Sequence, residues 1–405
     1  MTRLRRTPEK ILLPRGFSFS ALAANIKASG RPDLALVDAG ANATAAAVFT
    51  KNLVVAAPLV VGRASLLATA GKVRAVLVNS GNANCATGRD GLRACERTCH
   101  DAGKLLGVSA AEIFPSSTGI IGVRFPAEKA ITKLPELIGG LASNQAAAMA
   151  FARAIMTTDT RAKIASRRFK VGSKEVTVLG IAKGSGMIHP NLATMLVYLF
   201  TDVAAGPREL KRFLREASDP SLNSMSVDGD TSTNDTVLLL ANGQSGCQVG
   251  HAGVRKKFAE GLRAVCQSLA EQIVTDGEGV QHVIRLFVEQ ARSREEALHV
   301  ARTIAHSALV KTAWAGADPN WGRILAAVGR SGVAVDPGRV RIFIGDQMVC
   351  RDGVACSFDE GRAHWALSES VCDVRVKLGR GKGSVRFLTT DLTAEYVRIN
   401  ADYST

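Results

Sequence analysis

The chain has 405 residues, 46% hydrophobic and 21% charged, a globular balance that excludes a disordered or fibrous protein and suits two or three domains. Lys and Arg number 51 against 36 Asp and Glu, a net charge of +15. All of that excess precedes Thr194: residues 1–193 carry 26 basic and 11 acidic side chains, residues 194–405 carry 25 of each. Such asymmetry points to an anionic partner, or to a solvated basic face.

The basic opening, Met1 to Lys10, is broken by Pro8 and Glu9 and is followed by no apolar core, so it does not read as a secretory signal. No apolar run reaches the length of a membrane span. Eight scattered cysteines without a Cys-x-x-Cys pair fit reduced thiols in a cytoplasmic protein. Strands are predicted at 34–37, 46–50 and 73–79, followed by helices at 91–106, 127–138 and 145–154. The first of these helices sets Cys95 and Cys99 on one face. Two thiolates without a second pair make a poor zinc site, and buried thiols are the simpler reading; no metal is expected.

Strands then follow at 169–179, 195–201 and 236–241, with helices at 208–217 and 253–273 around the last of them. The remainder reads as a strand at 283–288, a helix at 294–308, and strands at 340–344, 374–378 and 384–388. The run Gly379-Arg380-Gly381-Lys382-Gly383 between the last two reads as a hairpin turn. The tail, Tyr396 to Thr405, continues a β-like pattern and looks tied down. Strands that follow one another directly favour an α+β fold with largely antiparallel sheets over a doubly wound one. No linker separates the halves, so any domains share a core.

Common catalytic signatures are missing: there is no phosphate-binding Gly-rich loop, no Gly-x-Ser-x-Gly elbow and no His-Glu-x-x-His. The seven histidines are dispersed. Polar density instead concentrates in five places. The segment Lys183 to Leu196 has two glycines and Pro190 ahead of Thr194, which opens an apolar strand. β-propensity alone accounts for such a Thr. A Thr after a strained turn can also attack its preceding carbonyl, and its freed α-amine, of pKa about 8, can then serve as base for its hydroxyl. Ser116 to Gly122 is small and flexible enough to aim backbone N–H groups at one point, as an oxyanion hole requires, or to be a plain turn. Met156 to Thr160 offers hydroxyls, and Asp276-Gly277-Glu278-Gly279 offers a carboxylate for an ammonium group. The tail adds Asn400 and Thr405.

In this order the five places resemble the glutamate N-acetyltransferase family, also called ornithine acetyltransferase, of the cyclic arginine-biosynthesis pathway. Asn79 to Asn84, Ala46 to Thr50 and Asp318 to Arg323 extend the resemblance nearly end to end. It implies a precursor that cuts itself between Ala193 and Thr194 into an α chain, 1–193, and a β chain, 194–405. These would stay associated as a heterotetramer of two α and two β chains. The implied fold is α+β, with paired, largely antiparallel sheets sandwiched by helices, similar to self-cleaving aminopeptidases with an N-terminal nucleophile. Thr194 would carry an acetyl group from N-acetylornithine to glutamate, with Thr118 and Gly119 at the oxyanion-hole positions. Thr157, Lys183, Thr194, Glu278, Asn400 and Thr405 match the substrate-contact positions. No cofactor is implied, although some members accept acetyl-CoA as donor.

Two departures stand out. Where the family usually has Ala-Thr-Lys after the acidic loop, this chain has Val280, Gln281 and His282, which leaves donor preference open. Cys85-Ala86-Thr87-Gly88 replaces Ala-Cys-Thr-Gly, a packing change. An amidase or aminopeptidase using water as acceptor is the alternative. A nucleic-acid-binding protein is disfavoured by 5% aromatics and the lack of a recognisable module, and neither nucleic acid nor membrane is an expected partner. The basic stretch Arg161 to Lys174, with six cations and no acid, would then steer small anions or form a solvated stripe.

Overall fold

The computed structural model describes residues 10–188 and 195–402. In chain order the strands are β1 (Ser18–Leu22), β2 (Leu34–Asp38), β3 (Thr44–Phe49), β4 (Ala75–Asn82), β5 (Ile113–Ile120), β6 (Lys163–Val171) and β7 (Lys174–Lys183). They continue with β8 (Leu196–Thr201), β9 (Thr236–Ala241), β10 (Val283–Ala291), β11 (Arg341–Ile344), β12 (Gln347–Arg351), β13 (Val354–Ala355), β14 (Val371–Lys377) and β15 (Gly383–Thr390). They form three sheets, ordered β1-β2-β4-β5, β3-β9-β8-β7-β6 and β13-β12-β11-β14-β10-β15. Among the described strands only β4–β5, β8–β9 and β10–β14 pair in parallel, so the fold is α+β and largely antiparallel.

The first two sheets pack face to face. Phe19, Val37, Val76 and Val78 from one meet Ile181, Tyr198, Phe200 and Leu238 from the other. β8 and β9 are buried along their whole length, covered on both faces, and therefore read as continuous apolar runs rather than alternations. On the outer face of the second sheet lie helices Pro207–Ser218 and Ala252–Thr275, through Leu210, Phe213, Phe258 and Leu262. Helices Gly88–Leu106 and Ala127–Gly139 cover the outer face of the first, and Cys95 and Cys99 are buried there among Ala130 and Leu134. Two sheets between two helical layers result. The third sheet has its own core, with Trp314, Ile324 and Leu367 from helices Ala308–Ala315, Trp321–Gly329 and Glu360–Ser368. Among the described residues, no helix is long and apolar enough to cross a membrane.

Several expectations need correction. The strand predicted at 169–179 is a hairpin, β6 and β7, that turns at Gly172 with φ +60°. The helix predicted at 294–308 is two, Arg294–Ala305 and Ala308–Ala315. Gly379 to Gly383 makes no hairpin, because β10 lies between β14 and β15 and pairs with both. The loop crosses over that strand, with the N–H groups of Arg380 and Gly381 donating to the Gln290 carbonyl. The tail, expected as β, is a helix, Ala394–Asp402, on which Arg398 pairs with Glu395 and Asp402 at i,i+3 and i,i+4.

The sheet of β3, β9, β8, β7 and β6 takes strands from both sides of position 193, so the two sequence halves do not form separate bodies. Helix Ala252–Thr275 seats directly on its backbone at Gly180 of β7. A β-carbon there would lie 2.6 Å from Val265 Cγ1 and 2.7 Å from Leu269 Cδ1. Gly180→Val is accordingly expected to lift the helix and cost about 1–3 kcal/mol. A urea denaturation midpoint unchanged from the parent protein would contradict this seating.

Candidate active site

Thr118, Gly119, Thr157, Lys183, Glu278 and Asn400 all line one cavity of about 140 Å³. Sequence distances of up to 282 positions between them are closed by the fold. The expectations for Thr194 and Thr405 fall outside the described residues. Met195, which follows Thr194 in the chain, lines the same cavity and is buried.

Each element brings its residue for a local reason. Ser116 to Ile120 is strand rather than turn, with the bend beginning only at Ile121: Thr118 and Gly119 lie near the end of β5, which pairs in parallel with β4. The register shifts at Gly81 and Asn82, and such a bulge locally disrupts the ladder. Gly119 has φ +133°, and a β-carbon on it would fall 2.3 Å from the Gly81 carbonyl carbon, so only glycine fits. Asn234 ties this edge to the start of β9: its Nδ2 donates to the carbonyls of Ala83 at 2.7 Å and Ser117 at 2.9 Å. Asn79 Oδ1 accepts the Ser117 hydroxyl at 2.6 Å.

Lys183 ends β7 and faces Thr118, its Nζ 3.3 Å from Thr118 Oγ1. It pairs with Leu196, the first residue of β8. Glu278 sits where Gly186 leaves room: a β-carbon at 186 would lie 2.3 Å from Glu278 Oε2. Asn400 Nδ2 donates to that same Oε2 at 2.9 Å, so the C-terminal helix closes over the acidic loop.

A buried ionic cluster holds these parts in register. Lys163, fully enclosed, donates to Asp159 Oδ1 and Asp276 Oδ2, both at 2.6 Å. Asp159 also accepts the backbone N–H of Gly184 at 2.6 Å and of Thr157 at 3.0 Å. Asp276 takes the N–H and hydroxyl of Thr160. Burial alone would raise the Asp159 carboxyl, but the charges of Lys163 and Lys183 hold it down to about 2. Lys27 adds a second prop: its Nζ donates to the carbonyls of Ala154, at 3.3 Å, and Met156, at 2.8 Å. Burial, reinforced by Arg31, lowers its ammonium to about 8.

Sequence reasoning missed the acidic wall opposite. Asp228 accepts the N–H groups of Met187 at 2.6 Å and Ile188 at 2.8 Å, and burial raises its carboxyl above the usual range. Asp235 lines the cavity, buried, with its carboxyl raised well above normal by burial. Tyr396 completes this side, its phenol raised by burial and by Asp228, Glu278 and Asp230. A run of eight residues from Asp228 to Asp235, polar but for Gly229, precedes the apolar β9, the same signal that marked the other five places. Val280, Gln281 and His282, where the departure falls, are not among the residues lining the cavity. The Nδ1 of His282 lies 3.1 Å from the Glu369 carbonyl oxygen.

The ArgJ family's model matches residues 18–405, and the chain belongs to this family. It is 45% identical over 394 residues to the arginine biosynthesis bifunctional protein ArgJ of Geobacter sulfurreducens, covering 96% of this chain and 99% of that one. It is 46% identical over 395 residues to the protein of the same name from Thermus thermophilus, covering 98% and 100%. A crystal structure of arginine biosynthesis bifunctional protein ArgJ from Bacillus halodurans is similar at 37% identity and a TM-score of 0.49, over 51% of this chain and 98% of that one.

Removing the cation of Lys163 would leave two carboxylates buried without compensation. Lys163→Met is expected to cost about 3–5 kcal/mol at pH 7. The Asp159 carboxyl titrates lower folded than its unfolded value near 3.9, so its stabilisation is complete above about pH 4 and lost as pH falls through 2. The deficit of the variant should therefore shrink below pH 4, which denaturation at pH 7 and pH 3 would check; an equal deficit at both contradicts the ionic account.

Proposed function

We propose that the protein is an acetyltransferase of arginine biosynthesis that moves the acetyl group of N-acetylornithine to glutamate. Membership of the ArgJ family supports this reaction. The observation that carries the assignment of residues is the meeting of Thr118, Gly119, Thr157, Lys183, Glu278 and Asn400 on one cavity beside Met195.

Thr194 is the nucleophile in this reading. Self-cleavage after Ala193 frees its α-amine, which takes the hydroxyl proton as Oγ attacks the acetyl carbonyl. Thr118 and Gly119 donate to the oxyanion, where loss of one donor costs about 10²–10³ in rate. Lys183, next to Thr118, adds fixed positive charge to the developing negative charge. Glu278 and Asn400 take the side-chain ammonium of ornithine, and Thr157 and Thr405 the amino-acid carboxylate. Splitting the transfer through an acetyl ester makes two modest steps of one difficult one. Acetyl-CoA serves as a second donor in this proposal, and the α and β chains associate as a heterotetramer of two of each.

Self-cleavage divides 42.7 kDa into fragments of roughly 20 and 22 kDa in proportion to 193 and 212 residues. Intact mass spectrometry should find both in the purified protein and a single full-length species for Thr194→Ala. An uncut parent protein contradicts the mechanism. With N-acetylornithine and glutamate as substrates, ornithine and N-acetylglutamate should form in equal amounts. Free acetate without N-acetylglutamate would instead establish the amidase.

A further inference from the structure

Asp235 stands on the cavity wall immediately ahead of β9. The next residue, Thr236, pairs with Leu196 and donates its N–H to the Met195 carbonyl at 2.9 Å. Lys183 pairs with the same Leu196 from the other side. The start of β8 is thus flanked by Lys183 and Asp235, and both line the cavity.

Asp235 is 3% exposed, and its Oδ2 has no hydrogen-bond partner. An ionised carboxylate left so would carry a large desolvation penalty, whereas a neutral carboxyl carries a modest one. Lys183 is the cation facing it, but its Nζ reaches Thr118, and no ion pair joins it to Asp235 among the described residues. The other ionisable groups lining the cavity, Asp228, Asp230, Glu278 and Tyr396, are all acids and supply no further cation to pair with it. Burial, the largest influence, raises the Asp235 carboxyl well above the usual range and outweighs the hydrogen bonds from Ser232 and the charge of Lys183, which favour the ionised form.

We propose that Asp235 is a catalytic proton carrier of the transfer, giving its proton to the departing amine and recovering it from the arriving one. This rests on the acetyltransferase reading above. In the first step the Thr194 Oγ–C bond forms and the amide C–N bond breaks. The hydroxyl proton moves to the α-amine of Thr194, and the Asp235 proton moves to the ornithine nitrogen. The cavity then holds one ammonium and one carboxylate, without net change in charge. In the second step the glutamate amine attacks the ester, its surplus proton returns to Asp235, and the α-ammonium returns a proton to Thr194 Oγ. Donor and acceptor are both α-amino acids, so one residue serves both directions.

The test is Asp235→Asn, which preserves size and polarity but holds no transferable proton. With N-acetylornithine, kcat should fall by about 10²–10⁴, the range of general acid–base catalysis, with KM little changed. With p-nitrophenyl acetate, whose leaving group departs without a proton, the burst of nitrophenolate should slow by less than about tenfold, because acid catalysis contributes little to that step. Equal losses for both donors, or no loss with N-acetylornithine, overturn the proposal. A readout free of turnover and of processing is the infrared carboxylic-acid C=O band of the uncut Thr194→Ala protein at neutral pH. The spectrum should lose one such component when Asp235→Asn is added, and an unchanged carboxylic-acid region overturns the proposal. A parent protein that shows the Asp235 band yet forms no N-acetylglutamate refutes the transferase reading instead.

Discussion

Lys163 between Asp159 and Asp276 is the interaction on which the cavity depends. A lysine ammonium with no exposure is tolerable only with compensating charge, and here two carboxylates approach to 2.6 Å. Those carboxylates are themselves committed to backbone N–H groups at Thr157, Thr160 and Gly184. The cluster therefore fixes the positions of three chain segments far apart in sequence: the Thr157 turn, the end of β7 with Lys183, and the loop carrying Glu278. Hydrophobic packing brings the sheets together without direction, but an ionic cluster with directed hydrogen bonds sets their ends relative to one another.

That role also changes the meaning of the basic stretch after Thr157. Lys163 is internal, Arg161 lies 3.5 Å from Asp276, and Arg168 lies 3.7 Å from Glu175. Lys174 donates to the Gly246 carbonyl at 2.9 Å. Much of the stretch is thus architecture. The electrostatic character of the cavity is set by its walls, which carry both the cation of Lys183 and the acids Asp228, Asp230 and Glu278. A zwitterionic amino acid, with one charge of each sign, matches such a polarised lining better than a simple anion does.

Much of this was legible in the sequence because strand and helix periodicities are local. The runs at 196–201 and 236–241 were plain from their unbroken apolar character, and Thr118, Lys183 and Glu278 stood out as polar density between apolar elements. The tail misled because Tyr396, Val397 and Ile399 suit a strand by propensity, whereas the ion pairs of Arg398 favour a helix. The loop at 379–383 misled because nothing local reveals that β10 intervenes between β14 and β15. The polar run from Asp228 to Asp235 marks the place, but the state of Asp235 within it is not legible, for a related reason. Its orphaned oxygen is a property of burial, created only when β9 slots beside β8.

The interleaved central sheet has a consequence for molecules that have been cut after Ala193. β3, β6 and β7 would belong to one chain and β8 and β9 to the other, joined through the β3–β9 and β7–β8 ladders. The halves could part only by stripping those ladders and opening the core between the sheets, which amounts to unfolding. Each β chain would keep for life the α chain with which it was made. Mixing two mature populations would yield no new α–β pairings, so any defect in one half would stay confined to its own covalent sibling.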